Sequence, residues 1–165
     1  MAPAAEYPDS TRPPAPARSK LWLTVAVISA IPCLLVGLFL TYLAHMALND
    51  LYPSGHKPIE LVWSHAARIL SLLAAAASVC TLVSIASSSS KLLTWSSRLL
   101  APSIIGMIAL GVLGVAWSNE AENRGGDWVG LDIIVALVVG VAFPGIIAFL
   151  SGLQLLAVTR MHRRK

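Results

Sequence analysis

"IELVWSHAARILSLLAAAASVCTLVSIA", Ile59–Ala86, decides how this chain is read. From Ile69 to Ala86 it carries no charged side chain. A helix crosses a hydrocarbon core of about 30 Å with about 20 apolar residues, so Leu61–Ala86 is long enough to span a bilayer. Its opening turns nevertheless hold Glu60, His65 and Arg68, which a bilayer accepts only at a cost. The stretch therefore reads as a transmembrane helix with a polar group near one end.

Three more runs of this kind surround it. They are Leu21–Met46, Leu99–Ser118 and Trp128–Val158. The whole chain of 165 residues is 56% hydrophobic and 12% charged, with a mean hydropathy of +0.74. Soluble domains carry about 25% charged residues, so the balance is that of a membrane protein. The first run follows Arg12, Arg18 and Lys20 as a signal peptide would. Its apolar part exceeds the roughly 7–15 residues of a signal sequence, and no small-residue cleavage site ends it, so it reads as a retained helix. The fourth run would be about 46 Å long as a helix and must tilt, kink or pass beyond the lipid. Pro144 is the expected kink, and Pro32 plays that part in the first run.

The expected fold is all-α: an integral membrane four-helix bundle of antiparallel up-down topology with both termini cytoplasmic. Helices at 21–46, 61–86, 99–118 and 128–158 form a domain over 21–158. Residues 1–20 are rich in proline and alanine and read as a disordered cytoplasmic tail. Residues 159–165 read as a basic cytoplasmic tail. "NDLYPSGHKPIE" joins the first two helices, with Pro53, Gly55 and Pro58 as breakers. Asp127 is placed to cap the fourth helix. "SSSSKLLTWSSR" reads as a solvated cytoplasmic linker.

Charge sets the orientation. Nine of the twelve Lys and Arg residues fall on the side of the two tails and the second loop. Lys and Arg accumulate in cytoplasmic segments, which makes that side the inner one. The tryptophans agree, because Trp22, Trp63, Trp95, Trp117 and Trp128 all lie at run ends, where indole rings favour the headgroup level. Nothing separates plasma membrane from endomembrane, since helix tilt removes the information in span length.

Lipid is as apolar as leucine, so membrane helices associate through close backbone approach and hydrogen bonds. Candidate stripes of small residues are Ala26 and Ala30; Ala67, Ser71 and Ala75; Gly106, Gly111 and Gly114; and Gly140 with Pro144, Gly145 and Gly152. They suit an intramolecular bundle or a homo-oligomer. Cys33 and Cys80 lie within apolar runs and read as small apolar fillers.

The candidate site is a polar cluster near the outer face: His45, Glu60, His65, Arg68 and Asp132. Glu60, Ser64 and Arg68 share one face of their helix, with Arg68 about 12 Å deeper than Glu60. Asp132 lies about 7 Å further in than Asp127. Arg68 can pair with Asp132, or snorkel towards the outer water, since helical side chains lean to the N-terminus. A ligand, proton or catalytic site is the sharper alternative. His45, His65 and Asp132 have acceptable donor atoms for zinc or iron but not the spacing of a ligand motif, so no metal and no cofactor are expected.

No nucleophile elbow, phosphate loop or paired catalytic carboxylate occurs. The basic residues flank apolar runs rather than interleave with aromatics, which argues against nucleic acid. Tetraspanins carry a cysteine-rich outer loop with a Cys-Cys-Gly motif, and claudin-like proteins a cysteine pair in the first outer loop. This sequence has neither. The expected function is that of a small, non-enzymatic structural or accessory subunit, embedded in lipid and associating with itself or a membrane partner. The alternative is a membrane enzyme or carrier for a hydrophobic molecule that uses the outer polar cluster.

Overall fold

The computed structural model describes residues 18–49, 58–124 and 129–162. The expectations for the N-terminal tail as far as residue 17, for Pro53 and Gly55, for the Asp127 cap and for Arg163–Lys165 lie outside the described residues. The chain is all-helical: α1 (Arg18–Asn49), α2 (Pro58–Ser87), α3 (Ser90–Arg124), α4 (Val129–Leu137), a π-helical turn (Val138–Ala142) and α5 (Phe143–His162). The last three run on as one rod. Four stretches are long and apolar enough to cross a membrane: Lys20–Leu48, Ile59–Ser87, Ser90–Glu120 and Ile133–Met161. Each would be about 44–46 Å long, more than the core alone requires.

Burial follows a repeat of alternating three- and four-residue steps. In α1 the buried positions include 26, 30, 33, 37, 40 and 44, and in α3 they are 93, 96, 100, 103, 107, 110, 114 and 118. In α2 the series 64, 67, 71, 74, 78 and 81 is buried, widened by Trp63, Ala75, Ala77 and Ser84. This mean spacing of 3.5 residues is that of helices wound in a left-handed supercoil. The seams consist largely of Ala, Gly, Ser and Cys, while Ile28, Leu35, Ile69, Ile105, Val112 and Phe149 face outward. A soluble bundle has the opposite distribution. Small residues within and large apolar ones outside are what lipid selects, because only close approach holds membrane helices together.

The fourth rod keeps the pattern with one irregularity. Its buried positions are 136, 140, 144, 147, 151, 154, 157 and 158, with two consecutive four-residue steps across the π turn. The cause is Pro144. It has no N–H to offer the Gly140 carbonyl, and its ring would collide with that carbonyl in a regular helix. Just before it, the Phe143 N–H bonds to Val138 O, five residues back, and the wider turn takes up the extra residue. The Gly140 carbonyl rests instead against α3, where a Cβ on Gly114 would lie 2.8 Å from Gly140 Cα and closer still to its carbonyl carbon and oxygen. α1, by contrast, continues through Pro32 as a single α-helix.

Two expectations differ from what is found. α3 starts at Ser90, well before Leu99, so the serine-rich linker shrinks to a turn at Ser88–Ser89. Leu93 and Ser96 belong to the buried repeat, and the hydroxyls satisfy themselves locally: Thr94 donates to Ser90 O at 3.1 Å and Ser97 to Thr94 O at 2.8 Å. Trp63, expected with its ring half buried and its N–H wet, is fully buried against Trp117, with ring centroids 5.5 Å apart. Trp22 is half-buried and Trp95 exposed, each with an arginine over its ring (Arg160 and Arg98). Trp128 lies outside the described residues.

Candidate functional site

Two groups of polar side chains occupy different parts of the bundle. The first is the cluster expected from sequence. The bond between Thr41 Oγ1 and Ser71 Oγ, 2.6 Å long, fixes the register of α1 against α2. His45 is four residues past Thr41, and Arg68 three before Ser71, so each lies about one turn along its helix from that bond. His45 and His65 are exposed, and Glu60 and Arg68 are half-buried. Neither His45 nor Glu60 is free of partners. The side chain of Asp132 lies outside the described residues, as does the proposed Arg68–Asp132 pair. Among the described residues no three His, Cys, Asp or Glu side chains converge as metal ligands.

Trp63 stands in the same turns of α2. Its indole N–H is buried and, among the described residues, has no hydrogen-bond acceptor. The ring is held by a core cluster that includes Leu40, Ala44, Ala67, Met107 and Leu110. An N–H without an acceptor costs about 1–3 kcal/mol, which ring packing must offset here.

The second group, centred on Gln154 of α5, was not singled out from sequence. Gln154 is fully buried. Its Nε2 donates to Thr81 Oγ1 at 2.5 Å and to the Ala77 carbonyl at 3.5 Å. Ser78 Oγ lies 3.3 Å from Gln154 Oε1 as a donor, and 2.9 Å from Ala74 O. Ser96 of α3 reaches Thr81 Oγ1 at 2.5 Å and Ala77 O at 3.3 Å. Thr81 gives its hydroxyl proton to Ala77 O at 3.0 Å and accepts from Gln154 and Ser96, while the two amide protons of Gln154 have two acceptors. Three helices are thereby tied at one level, with no charge involved.

Hydroxyls continue this pattern elsewhere in the interior. Cys33 Sγ and Ser151 Oγ are 3.4 Å apart, joining α1 to α5. Ser29 donates to Val25 O at 2.7 Å, and Ser71 to Ala67 O at 2.6 Å. Ser103 is the exception, with a buried hydroxyl that has no partner among the described residues. The signal for the Gln154 group was an amide alone in an apolar run, together with Ser78, the last of the seven-residue recurrence Ser64, Ser71 and Ser78. The chemistry of this group is that of a neutral tie: it aligns helices and offers no nucleophile activated by a base.

Compared with protein-family models, curated proteins and solved structures, the chain matches none.

Proposed function

We propose that this multi-pass membrane protein is a non-enzymatic structural or accessory subunit, built as an up-down bundle of antiparallel neighbours with both termini in the cytoplasm. The observation that carries this reading is how the interior is used. Small residues close the seams, and an internally satisfied amide–hydroxyl group ties α2, α3 and α5, which leaves broad apolar faces for lipid or for a protein partner. The antiparallel arrangement is supported by paired contacts. Trp22 meets Arg160, Cys33 meets Ser151 and Phe39 meets Phe143, so α1 and α5 run in opposite senses. Likewise Gly106 faces Leu70 while Ser96 bonds Thr81, opposing α2 and α3. The excess of Lys and Arg supports the cytoplasmic assignment.

Native mass spectrometry of the protein extracted in a mild detergent tests the reading. A co-purifying membrane protein or a defined homo-oligomer is the expected result. A stoichiometric metal or small-molecule mass would overturn it.

One observation favours a second reading, an enzyme or carrier for a hydrophobic molecule that uses His45, Glu60, His65, Arg68 and Asp132. The Trp63 N–H, which has no acceptor among the described residues, is a buried donor in the same turns of α2 as Glu60 and Arg68. Arg68→Leu separates the two. A structural arginine gives lower accumulation or assembly, whereas a functional one gives normal accumulation with loss of ligand binding or turnover.

A further inference from the structure

All four rods converge at the end of the bundle that carries the α2–α3 turn. Leu23 of α1, Ile85 of α2, Leu93 of α3 and Met161 of α5 wall a cavity of about 240 Å³ there. Its remaining lining is Ser84, Ser88 and Ser89. The turn is tightly held. Ser88 adopts a left-handed conformation with φ 52°. Ser89 N–H bonds Ser84 O at 3.2 Å, and Ser84 Oγ donates to Ser89 O at 2.8 Å. The Ser89 hydroxyl accepts from the Leu92 N–H at 3.5 Å, so two of the three hydroxyls are engaged in shaping the rim, and the walls below are apolar.

The surroundings of this cavity are cationic. Lys20 lies one turn before Leu23, Lys91 two residues before Leu93, and Arg160 next to Met161, and all three are exposed. The Arg160 guanidinium stacks 5.9 Å over the Trp22 ring, in the residue adjoining Leu23. Arg98 stacks similarly over Trp95. The described carboxylates, Glu60, Glu120 and Glu122, belong to the start of α2 and the end of α3, at the opposite end. An apolar slot with a cationic collar, flanked by tryptophan at the headgroup level, has the polarity of a phospholipid reversed in charge.

We propose that this slot binds one anionic phospholipid from the leaflet at that end. The phosphate lies against Lys20 and Arg160, and a segment of the lipid's apolar part enters between Leu23, Ile85, Leu93 and Met161. The volume is below the roughly 300–1,000 Å³ of pockets that enclose a whole drug-sized ligand, so the site takes one segment and leaves the rest of the lipid in the bilayer. The inference rests on the membrane-spanning reading and is independent of whether a protein partner exists. A general attraction of basic residues to anionic lipid would act without the slot. The slot makes the binding saturable and dependent on apolar residues that carry no charge.

The test is native mass spectrometry of the intact protein in detergent, titrated with phosphatidylglycerol, phosphatidylcholine or inorganic phosphate. One phosphatidylglycerol should bind in a distinct first step, about tenfold more tightly than phosphatidylcholine. Leu23→Trp, at a position 45% exposed and so tolerant of a larger ring, should weaken that step about tenfold with the charge unchanged. Met161→Trp should do the same and serves if the first variant does not fold. Lys20→Gln with Arg160→Gln should weaken it about fivefold per charge removed. Graded uptake of many phosphatidylglycerols without a first step would overturn the proposal. So would wild-type binding in both folded tryptophan variants, or displacement of the lipid by millimolar inorganic phosphate.

Discussion

Replacing Gly114 by alanine puts a methyl group where the backbone of the fourth rod already lies. The new Cβ would sit 2.8 Å from Gly140 Cα and nearer still to the Gly140 carbonyl carbon and oxygen, against an ordinary contact of 3.4–4 Å. None of these atoms is the free end of a side chain, so relief requires α3 and the π turn to separate by about 1 Å or for the π turn to rewind. A Cβ on Gly140 would lie 3.5 Å from the Trp117 ring, so the π turn faces Trp117 and separation spreads to the Trp63–Trp117 pair. Overpacking of this kind costs about 1–3 kcal/mol, and for a chain of this size each kcal/mol lowers the melting temperature by about 2–4 °C. Thermal unfolding in a mild detergent measures it. Gly111→Ala is the control. A Cβ there meets nothing within 4 Å, so its unfolding should match wild type or improve by up to about 1 kcal/mol through helix propensity. Gly106→Ala should fall between the two, since the atoms in its way are the end of the Leu70 side chain. Equal stability of Gly114→Ala and Gly111→Ala would refute the close contact between α3 and the π turn.

Other consequences can be measured in the same way. Gln154→Leu should lower stability by about 1–2 kcal/mol, because interhelical hydrogen bonds in membranes average about 0.6 and reach about 1.7 kcal/mol each; unchanged unfolding would show that the tie carries no energy. Ser103→Ala removes a buried hydroxyl that has no partner among the described residues, so stability should hold or rise by about 1 kcal/mol, and a clear loss would mean that the hydroxyl is bonded. Cys80 is half-buried and Cys33 buried beside Ser151. Maleimide in detergent should therefore label Cys80 first and Cys33 only on unfolding, as read by mass spectrometry of peptides.

Residue chemistry explains which features were legible in the sequence. The four spans could be read because a bilayer demands length and apolarity together, and Leu61–Ala86 supplies both. The packing faces could be read only in part: Ala26 and Ala30, and Ala67, Ser71 and Ala75, are buried as the small-residue stripes suggested, but Gly111 and Gly152 are only half-buried and Gly145 is exposed. In a soluble bundle the outward face is polar and marks the inward one by contrast. Here Ile69 faces out and Ala67 faces in, and hydropathy barely separates them. The 3.5-residue repeat becomes visible only once burial is known. The start of α3 was hidden because Ser87–Ser90 and Ser96–Ser97 read as a polar linker. Within the helices Ser87 bonds back to Val83 O and Ser97 to Thr94 O, while Ser96 bonds across to α2, and the polarity disappears. Pro144 was legible as a disruption, but its resolution into a π turn set against Gly114 needed the partner helix. In the expected polar cluster, the sequence marks Glu60 and Arg68 as polar groups near one end of a span, and His45 lies about one turn from the Thr41–Ser71 bond. Gln154 went unremarked because a single amide carries no charge to draw attention, although in lipid it must find partners as surely as an arginine does.

The central claim is a bundle of four spans with both ends on the cytoplasmic side. It is tested most directly by labelling intact cells with a membrane-impermeant maleimide. In a background of Cys33→Ala and Cys80→Ala, single cysteines are placed as Ala5→Cys, Ser54→Cys, Ser90→Cys and Asn123→Cys. Ser54→Cys and Asn123→Cys should label from outside, while Ala5→Cys and Ser90→Cys should label only after the membrane is permeabilised. Labelling of Ala5→Cys or Ser90→Cys in intact cells, with Ser54→Cys or Asn123→Cys protected, would contradict the account.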